Sequence, residues 1–277
     1  LALMLGAHAA DQMENFELRD RYLHEIEHLP QKQQLSRHLL LAESALGRRD
    51  YPTAAQNLEA AAKINGNLSR LVRLQLRYAF DHGDASDVLA KAEKLVKAGA
   101  INDYEAEQYQ NWAYRRLLSE VTDAGRLKAC LKQIPESVKS GELCVAIAEK
   151  YERLGLYAEA VKWVKTHYPQ NRQPELLEAF VESVRFLSER DQQKTIDLAD
   201  SWLQEQPDNA LLLMYLGQLA YGRKLWGKAQ GYLEASIALQ PSVSAHLVLA
   251  CVFDETDQPQ KAQEQRNLVL ESVAEEE

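Results

Sequence analysis

Apolar residues recur along most of this chain at spacings of three and four positions. Leu71, Leu74 and Tyr78 show this spacing, which places their side chains on one face of an α-helix. Runs of alternating β-branched residues, which would indicate strands, are absent from the sequence. The hydrophobic pattern therefore predicts an all-α protein.

Prolines divide this helical pattern into short segments. Because proline lacks a backbone N–H, it is tolerated best between helices or in the first turn of one. We expect the eight prolines to lie at such joints: Pro30, Pro52, Pro135, Pro169, Pro174, Pro207, Pro241 and Pro259. Gly83 and Gly155 are expected at helix ends, where glycine tolerates a positive φ.

The joints recur at a nearly regular interval, which indicates a repeat protein. The clearest repeat begins at Ala210 and matches the tetratricopeptide pattern at six further positions, namely Leu213, Leu216, Gly217, Ala229, Leu233 and Pro241. In this pattern Gly217 lets the first helix approach the second, and Ala229 is the small residue that faces it. An aromatic residue followed three positions later by alanine marks three turns: Tyr51 with Ala54, Tyr157 with Ala160, and Trp226 with Ala229.

The period predicts about eight helix pairs, which begin near residues 1, 35, 69, 106, 141, 176, 210 and 243. The units near 106 and 176 are degenerate, and the first helix of the former should be longer than standard. Such pairs stack into a right-handed superhelical solenoid whose first helices line a concave face. Since no linker rich in Gly, Pro or Ser interrupts the pattern, we expect residues 1–277 to form one domain. A non-repeating helical bundle is the alternative, but it does not require regularly spaced turns.

Charge and cysteine content narrow the classes of partner. Lysine and arginine number 32 against 41 aspartates and glutamates, a net charge of -9, which disfavours nucleic acid and anionic lipid as ligands. The three cysteines, Cys130, Cys144 and Cys251, are predicted to be buried thiols in a reducing compartment. No apolar stretch is long enough to cross a membrane, so any membrane association would need an anchor outside this sequence.

The C-terminal third carries the segments Leu211–Gln218, Leu225–Ala229 and Leu239–Pro241, and the helix Tyr109–Ala113 lies upstream. In these segments the chain resembles the proteobacterial HemY family of tetratricopeptide proteins. The resemblance implies a membrane anchor that precedes Leu1 and a repeat domain on the cytoplasmic side of the inner membrane. It also implies a role in late protohaem and porphyrin biosynthesis. The family has no agreed catalytic residues, so the resemblance transfers none.

The sequence offers weak candidates for chemistry. His24-Glu25-Ile26-Glu27-His28 fits the His-Glu-x-x-His zinc pattern, but no third ligand is evident. A haem would need a deep apolar pocket, whereas a regular solenoid offers a groove. We therefore predict no enzyme activity, no metal and no cofactor, and haem or porphyrin binding remains an alternative that only the resemblance suggests.

One basic and aromatic region is the candidate binding site. Arg70, Arg73 and Arg77 are spaced i, i+3, i+7, which places three guanidinium groups on one helical face. The next unit adds further candidates, Tyr104, Tyr114 and Arg115. Arginine and tyrosine are favoured at interfaces, so the region predicts a site for an acidic peptide or a small anionic ligand. In the alternative interpretation, the arginines pair with acids of neighbouring repeats or are simply solvated.

These observations favour a protein-binding scaffold, which in the HemY interpretation would recruit haem-biosynthesis enzymes. A tetratricopeptide scaffold for envelope assembly fits the repeats equally well. The sequence that precedes residue 1 in the gene would distinguish the two. Two apolar spans with basic flanks would support the first, and a cleavable signal or lipoprotein cysteine would support the second.

Overall fold

The computed structural model describes residues 2–26 and 30–275, and within these ranges the chain forms only helices and the turns between them. The all-α prediction is confirmed. The α-helices, in chain order, are α1 Ala2–Gln12, α2 Phe16–Ile26, α3 Gln31–Gly47, α4 Tyr51–Asn65, α5 Ser69–His82, α6 Ala85–Lys97, α7 Asp103–Glu120, α8 Ala124–Gln133, α9 Gly141–Arg153, α10 Tyr157–Asn171, α11 Pro174–Val184, α12 Glu189–Glu205, α13 Ala210–Gly222, α14 Trp226–Leu239, α15 Val243–Glu255 and α16 Pro259–Glu275. A short 3-10 helix, Glu136–Val138, follows α8.

Within each unit, consecutive helices pack in tetratricopeptide-type pairs, such as α3 with α4 and α13 with α14, and the helices begin in the register that the sequence predicts. The odd-numbered helices from α1 to α15 begin at residues 2, 31, 69, 103, 141, 174, 210 and 243. Four of these starts coincide with the predicted ones, and the others lie within four residues of them. The helix predicted to be long, α7, has 18 residues and is the longest in the described ranges.

The aromatic and alanine signature marks the start of a second helix in each of its three copies. The aromatic residue is the first residue of α4, α10 and α14. The alanine three positions later is completely buried in all three: Ala54, Ala160 and Ala229. A small side chain at this position lets the two helices of a pair pack closely, which is the role that the tetratricopeptide pattern predicts for this alanine.

Glycine ends two helices as predicted. Gly83 after α5 has φ 75° and Gly155 near the end of α9 has φ 69°, a conformation that a residue with a Cβ adopts only under strain. Asp84 directly follows Gly83, and its carboxylate accepts a hydrogen bond from the backbone N–H of Asp87, which caps the N-terminus of α6.

Pro169 departs from the prediction that the prolines lie between helices or in a first turn. It lies in the last turn of α10. The helix end is held there by Tyr168, whose side chain is 1% exposed, and by Arg172, whose N–H donates to the Tyr168 carbonyl at 2.8 Å. Because the proline removes only one donor near the helix end, the final turn persists despite it.

The contacts divide the chain into two compact units, Leu1–Glu120 (unit 1) and Val121–Glu277 (unit 2). The core of unit 1 includes Leu58, Leu71 and Val88. The core of unit 2 centres on large aromatic side chains of α10, α11 and α12, namely Tyr168, Phe180 and Trp202. The division falls within the fourth predicted repeat, which the sequence marks as degenerate. A single domain over residues 1–277 stays a prediction.

The close approach predicted for Gly217 is present in the pair α13 and α14, but its partner is Leu233. A Cβ added at Gly217 would lie 2.6 Å from the Cγ atom of Leu233. Ala229, the predicted partner, lies one helical turn earlier on α14 and is itself fully buried. The helix pair is therefore as expected, and the contact is one turn further along.

The three cysteines are free thiols, and they differ in burial. Cys144 is fully buried, as predicted, whereas Cys130 and Cys251 are only partly buried. Cys130 and Cys251 lie at positions of α8 and α15 that border the buried face. The prediction that these two thiols are buried is therefore only partly correct.

Candidate partner-binding site

The three candidate arginines lie on α5 and share its exposed face. Arg70, Arg73 and Arg77 are all exposed, whereas the residues between them include the buried Leu71 and Leu74. The i, i+3, i+7 spacing accounts for this arrangement, since these positions recur on one side of a helix. We call the side that α3, α5 and α7 present here the first-helix face of unit 1.

Two of the three arginines pair with acids of neighbouring first helices. Arg70 contacts the Glu43 carboxylate of α3 at 2.7 Å. Arg73 contacts Glu105 of α7 at 3.4 Å and also donates to the backbone carbonyl of Ala100. Pairing with acids of neighbouring repeats, the alternative interpretation of the sequence, therefore holds for these two. All four charged side chains of the two pairs are more than a third exposed, so each pair contributes at most about 1 kcal/mol.

Arg77 differs from the other two arginines. It forms no ion pair or hydrogen bond with any residue in the described ranges, and its side chain is exposed. It lies three residues before Phe80 on α5, so the two side chains share one face of the helix. Arg77 is thus the member of the predicted trio whose guanidinium is available to an external acid.

The candidates on α7 separate into two sides of that helix. Tyr104 is 72% exposed, and Arg115 is exposed too. Eleven residues bring the two back to within about 20° of each other around the helix. Tyr114 lies about 80° away from Tyr104 and is only 8% exposed. Tyr114 is therefore a packing residue and is removed from the predicted surface.

An aromatic cleft adjoins the arginines. It has a volume of about 480 Å³ and lies between α5 and α7, where Phe80 contributes one wall and Tyr104, Tyr109 and Trp112 contribute another. The Phe80 ring lies 4.4 Å from the Trp112 ring and 6.1 Å from the Tyr109 ring, measured between centroids. Glu105, the partner of Arg73, also lines this cleft, so the ion pair lies at its edge.

None of Phe80, Tyr109 and Trp112 was predicted from the sequence as a site residue. Tyr109 and Trp112 do pack on the core of α5, α6 and α7, but both keep an accessible side that lines the cleft. Phe80 is 38% exposed. The signal that could have found it is its position three residues after Arg77, on the face that the arginines occupy.

Two histidines outside the zinc-like pattern are held by contacts within the protein. His167 stacks on Trp163 at 3.7 Å between centroids, and His246 hydrogen-bonds Gln265 at 2.7 Å. His28, the last residue of the zinc-like pattern, lies outside the described residues. Over the ranges 2–26 and 30–275, no three His, Cys, Asp or Glu side chains come together as a possible metal site. No helix in these ranges is both long and apolar enough to cross a membrane.

Comparisons with known proteins give matches in structure alone. No family model matches the chain, and no curated protein matches its sequence. The chain is similar to solved structures of a MamA mutant (12% identity, TM-score 0.38, 61% of this chain and 99% of that one) and of a human IFIT1 dimer with PPP-AAAA (18%, 0.42, 95% and 66%). It is also similar to yeast Tom70 (12%, 0.36, 97% and 68%). At these TM-scores the matches add nothing to the helix pairs described above.

Proposed function

We propose that this chain is a non-catalytic scaffold that binds a protein partner through the first-helix face of unit 1. The observation that carries the proposal is the exposed Arg77 without a pairing partner among the described residues, next to an aromatic cleft of about 480 Å³. The matching partner segment has an apolar side chain that enters the cleft and an acidic side chain nearby. Arginine and aromatic side chains are enriched where binding energy concentrates at interfaces.

The energetics favour Arg77 over its two neighbours as the contact for an acidic group. A partner carboxylate that binds Arg70 or Arg73 must first displace Glu43 or Glu105, so the exchange yields little net free energy. Arg77 has no such internal carboxylate to displace. A carboxylate contact there contributes on the order of 1 kcal/mol, and burial of Tyr104 or Phe80 adds to it.

The identity of the partner rests on the resemblance to the HemY family. On that basis the scaffold is tethered to the inner membrane, faces the cytoplasm and recruits enzymes of late haem synthesis. The support for this finer proposal is the set of segments in the C-terminal third of the sequence and the helix around Trp112. The gene sequence that precedes residue 1 tests it, because two apolar spans with basic flanks are expected there and a cleavable export signal would contradict it.

The binding proposal is tested with the double variant Arg77→Gln/Tyr104→Ala. Both side chains are exposed, so the variant is expected to unfold at the wild-type temperature. Partner capture from native membranes and extracts, quantified by mass spectrometry, is expected to fall at least about tenfold, because each lost contact contributes on the order of 1 kcal/mol or more.

Lys63→Gln is the matched control for the loss of charge. Lys63 lies on α4, a second helix, is 72% exposed and pairs with Glu59 one turn earlier. Capture by this variant should equal that of the wild type. If the double variant captures its partner undiminished while it remains folded, the first-helix face of unit 1 is not the binding site.

A further inference from the structure

A second, separate cavity lies within unit 2, between α11, α12 and α13. Its volume is about 360 Å³, which falls within the range of small-molecule pockets, about 300 to 1,000 Å³. Val184, Ile196 and Leu219 form its apolar floor, and each of these side chains is at most 5% exposed. The volume of the cavity leaves room for a short hydrocarbon segment beside this floor. The cavity is formed by helices that contribute nothing to the first-helix face of unit 1.

The rim of this cavity carries an under-compensated guanidinium. The Arg223 side chain is 24% exposed, and its Nε atom is buried without a hydrogen-bond partner among the described residues. Its Nη1 atom makes two long contacts, 3.7 Å to the carboxylate of Glu189 and 3.5 Å to the Oε1 atom of Gln192. Glu189 is itself 89% exposed and screened by solvent. A partly buried cation with only such contacts favours an additional anion.

The side-chain amide of Gln192 has a defined orientation at the rim. Its Nε2 atom donates to the backbone carbonyls of Arg185 at 3.2 Å and Leu187 at 3.1 Å, so its Oε1 atom is the one that faces Arg223. Arg185, a second guanidinium, lines the same cavity and pairs with the exposed Glu182 at 3.0 Å. The opening of the cavity therefore offers two guanidinium groups above an apolar floor.

We propose that this cavity binds a carboxylate that carries a short apolar body. A carboxylate matches the planar fork of a guanidinium in bidentate geometry, and Arg223 can turn its outer nitrogen atoms to it at the expense of the long contact to Glu189. The apolar body then lies inside the cavity, on the side that Val184, Ile196 and Leu219 line. The same chemistry is found in a free aliphatic acid and in the C-terminal residue of a peptide that ends in leucine.

Calorimetric titration of the whole chain tests the proposal with three probes: octanoate, octanol and the peptide acetyl-Gly-Gly-Leu with a free C-terminus. Octanoate or the peptide is expected to bind at least about tenfold more tightly than octanol, which has the same apolar body as octanoate and no charge. Whichever of the two binds more tightly identifies the source of the carboxylate. The proposal is overturned if neither carboxylate probe binds saturably, or if neither binds more tightly than octanol.

Variants of Arg223 locate the binding. Arg223→Gln should weaken the better probe at least about tenfold, and Arg223→Lys, which keeps the charge without the fork, should weaken it less. Arg153→Gln on α9 is the matched control, because Arg153 is 73% exposed, pairs with Glu149 of its own helix and does not line the cavity. Wild-type affinity in both folded Arg223 variants overturns the assignment, and so does an equal loss in Arg153→Gln.

Discussion

The side chain of Cys144 illustrates how burial alone changes the chemistry of a residue. It is 0% exposed in the core of unit 2, and burial raises the pKa of its thiol from the ordinary 9.0 to about 11. The thiol is therefore uncharged at neutral pH and unreactive as a nucleophile. Because the folded-state pKa lies above the ordinary value, this thiol leaves the free energy of unfolding unchanged below pH 9 and lowers it as pH rises from 9 to 11.

We predict that Cys144→Ala reduces the loss of unfolding free energy between pH 8 and pH 11. The wild type should lose on the order of 2 kcal/mol of unfolding free energy more than the variant over this range. The reason is that the Cys144 thiol ionises near pH 9 in the unfolded chain but only near pH 11 in the folded one, so rising pH favours unfolding. Urea unfolding at the two pH values measures this difference. Burial also raises the pKa of Tyr215 to about 12 and that of Tyr232, but these contributions are common to both proteins.

Cys251→Ala is the control for this measurement, since Cys251 is only partly buried. This variant controls for the removal of a thiol as such. If Cys144→Ala and the wild type lose the same free energy between pH 8 and pH 11, the Cys144 thiolate is not disfavoured by burial as we describe.

At the scale of helices, the pair α13 and α14 depends on a glycine. Gly217→Ala would place a Cβ 2.6 Å from Leu233 Cγ, closer than two carbon atoms approach without a shift of the helices. Leu233 is fully buried, so its branched end has no room to move away. We expect Gly217→Ala to lower the unfolding free energy by about 1 to 3 kcal/mol, measured by urea or thermal unfolding.

Gly231→Ala on α14 is the matched control. Gly231 is exposed, and nothing lies within 4 Å of a Cβ added there. Alanine should raise stability at this helix position by about 0.5 to 1 kcal/mol, because glycine loses more backbone entropy on folding. A Gly217→Ala variant as stable as Gly231→Ala would show that the close approach of the two helices is absent.

The helices α5 and α7 show what the sequence could and could not predict about the site. The spacing of Arg70, Arg73 and Arg77 suffices to place them on one exposed face, because that depends only on the helical period. Arg70 pairs with Glu43, which lies 27 residues away along the chain, and Arg73 pairs with Glu105, which lies 32 residues away. Both acids belong to other repeats. Such pairs depend on how repeats stack, which the period of one helix does not determine. The burial of Tyr114 follows from the same packing.

At the scale of the whole chain, the repeat register was predictable because most of the repeats obey the same local rules. The turn residues fix where helices begin and end, and the predicted starts lie within four residues of the observed ones. No linker rich in Gly, Pro or Ser marks the division between Glu120 and Val121 in the sequence. The division reflects the density of contacts around a degenerate repeat, which spacing alone does not reveal.

The central claim is that the first-helix face of unit 1 contacts a protein partner. Photo-crosslinking tests it most directly, with p-benzoylphenylalanine in place of Tyr104 and, in a separate protein, in place of Lys63 on α4. We expect a discrete crosslinked partner from position 104, a yield at least about tenfold lower when Arg77→Gln is added, and no such product from position 63. Equal crosslinking from both positions, or a yield at position 104 that Arg77→Gln leaves unchanged, would contradict the account.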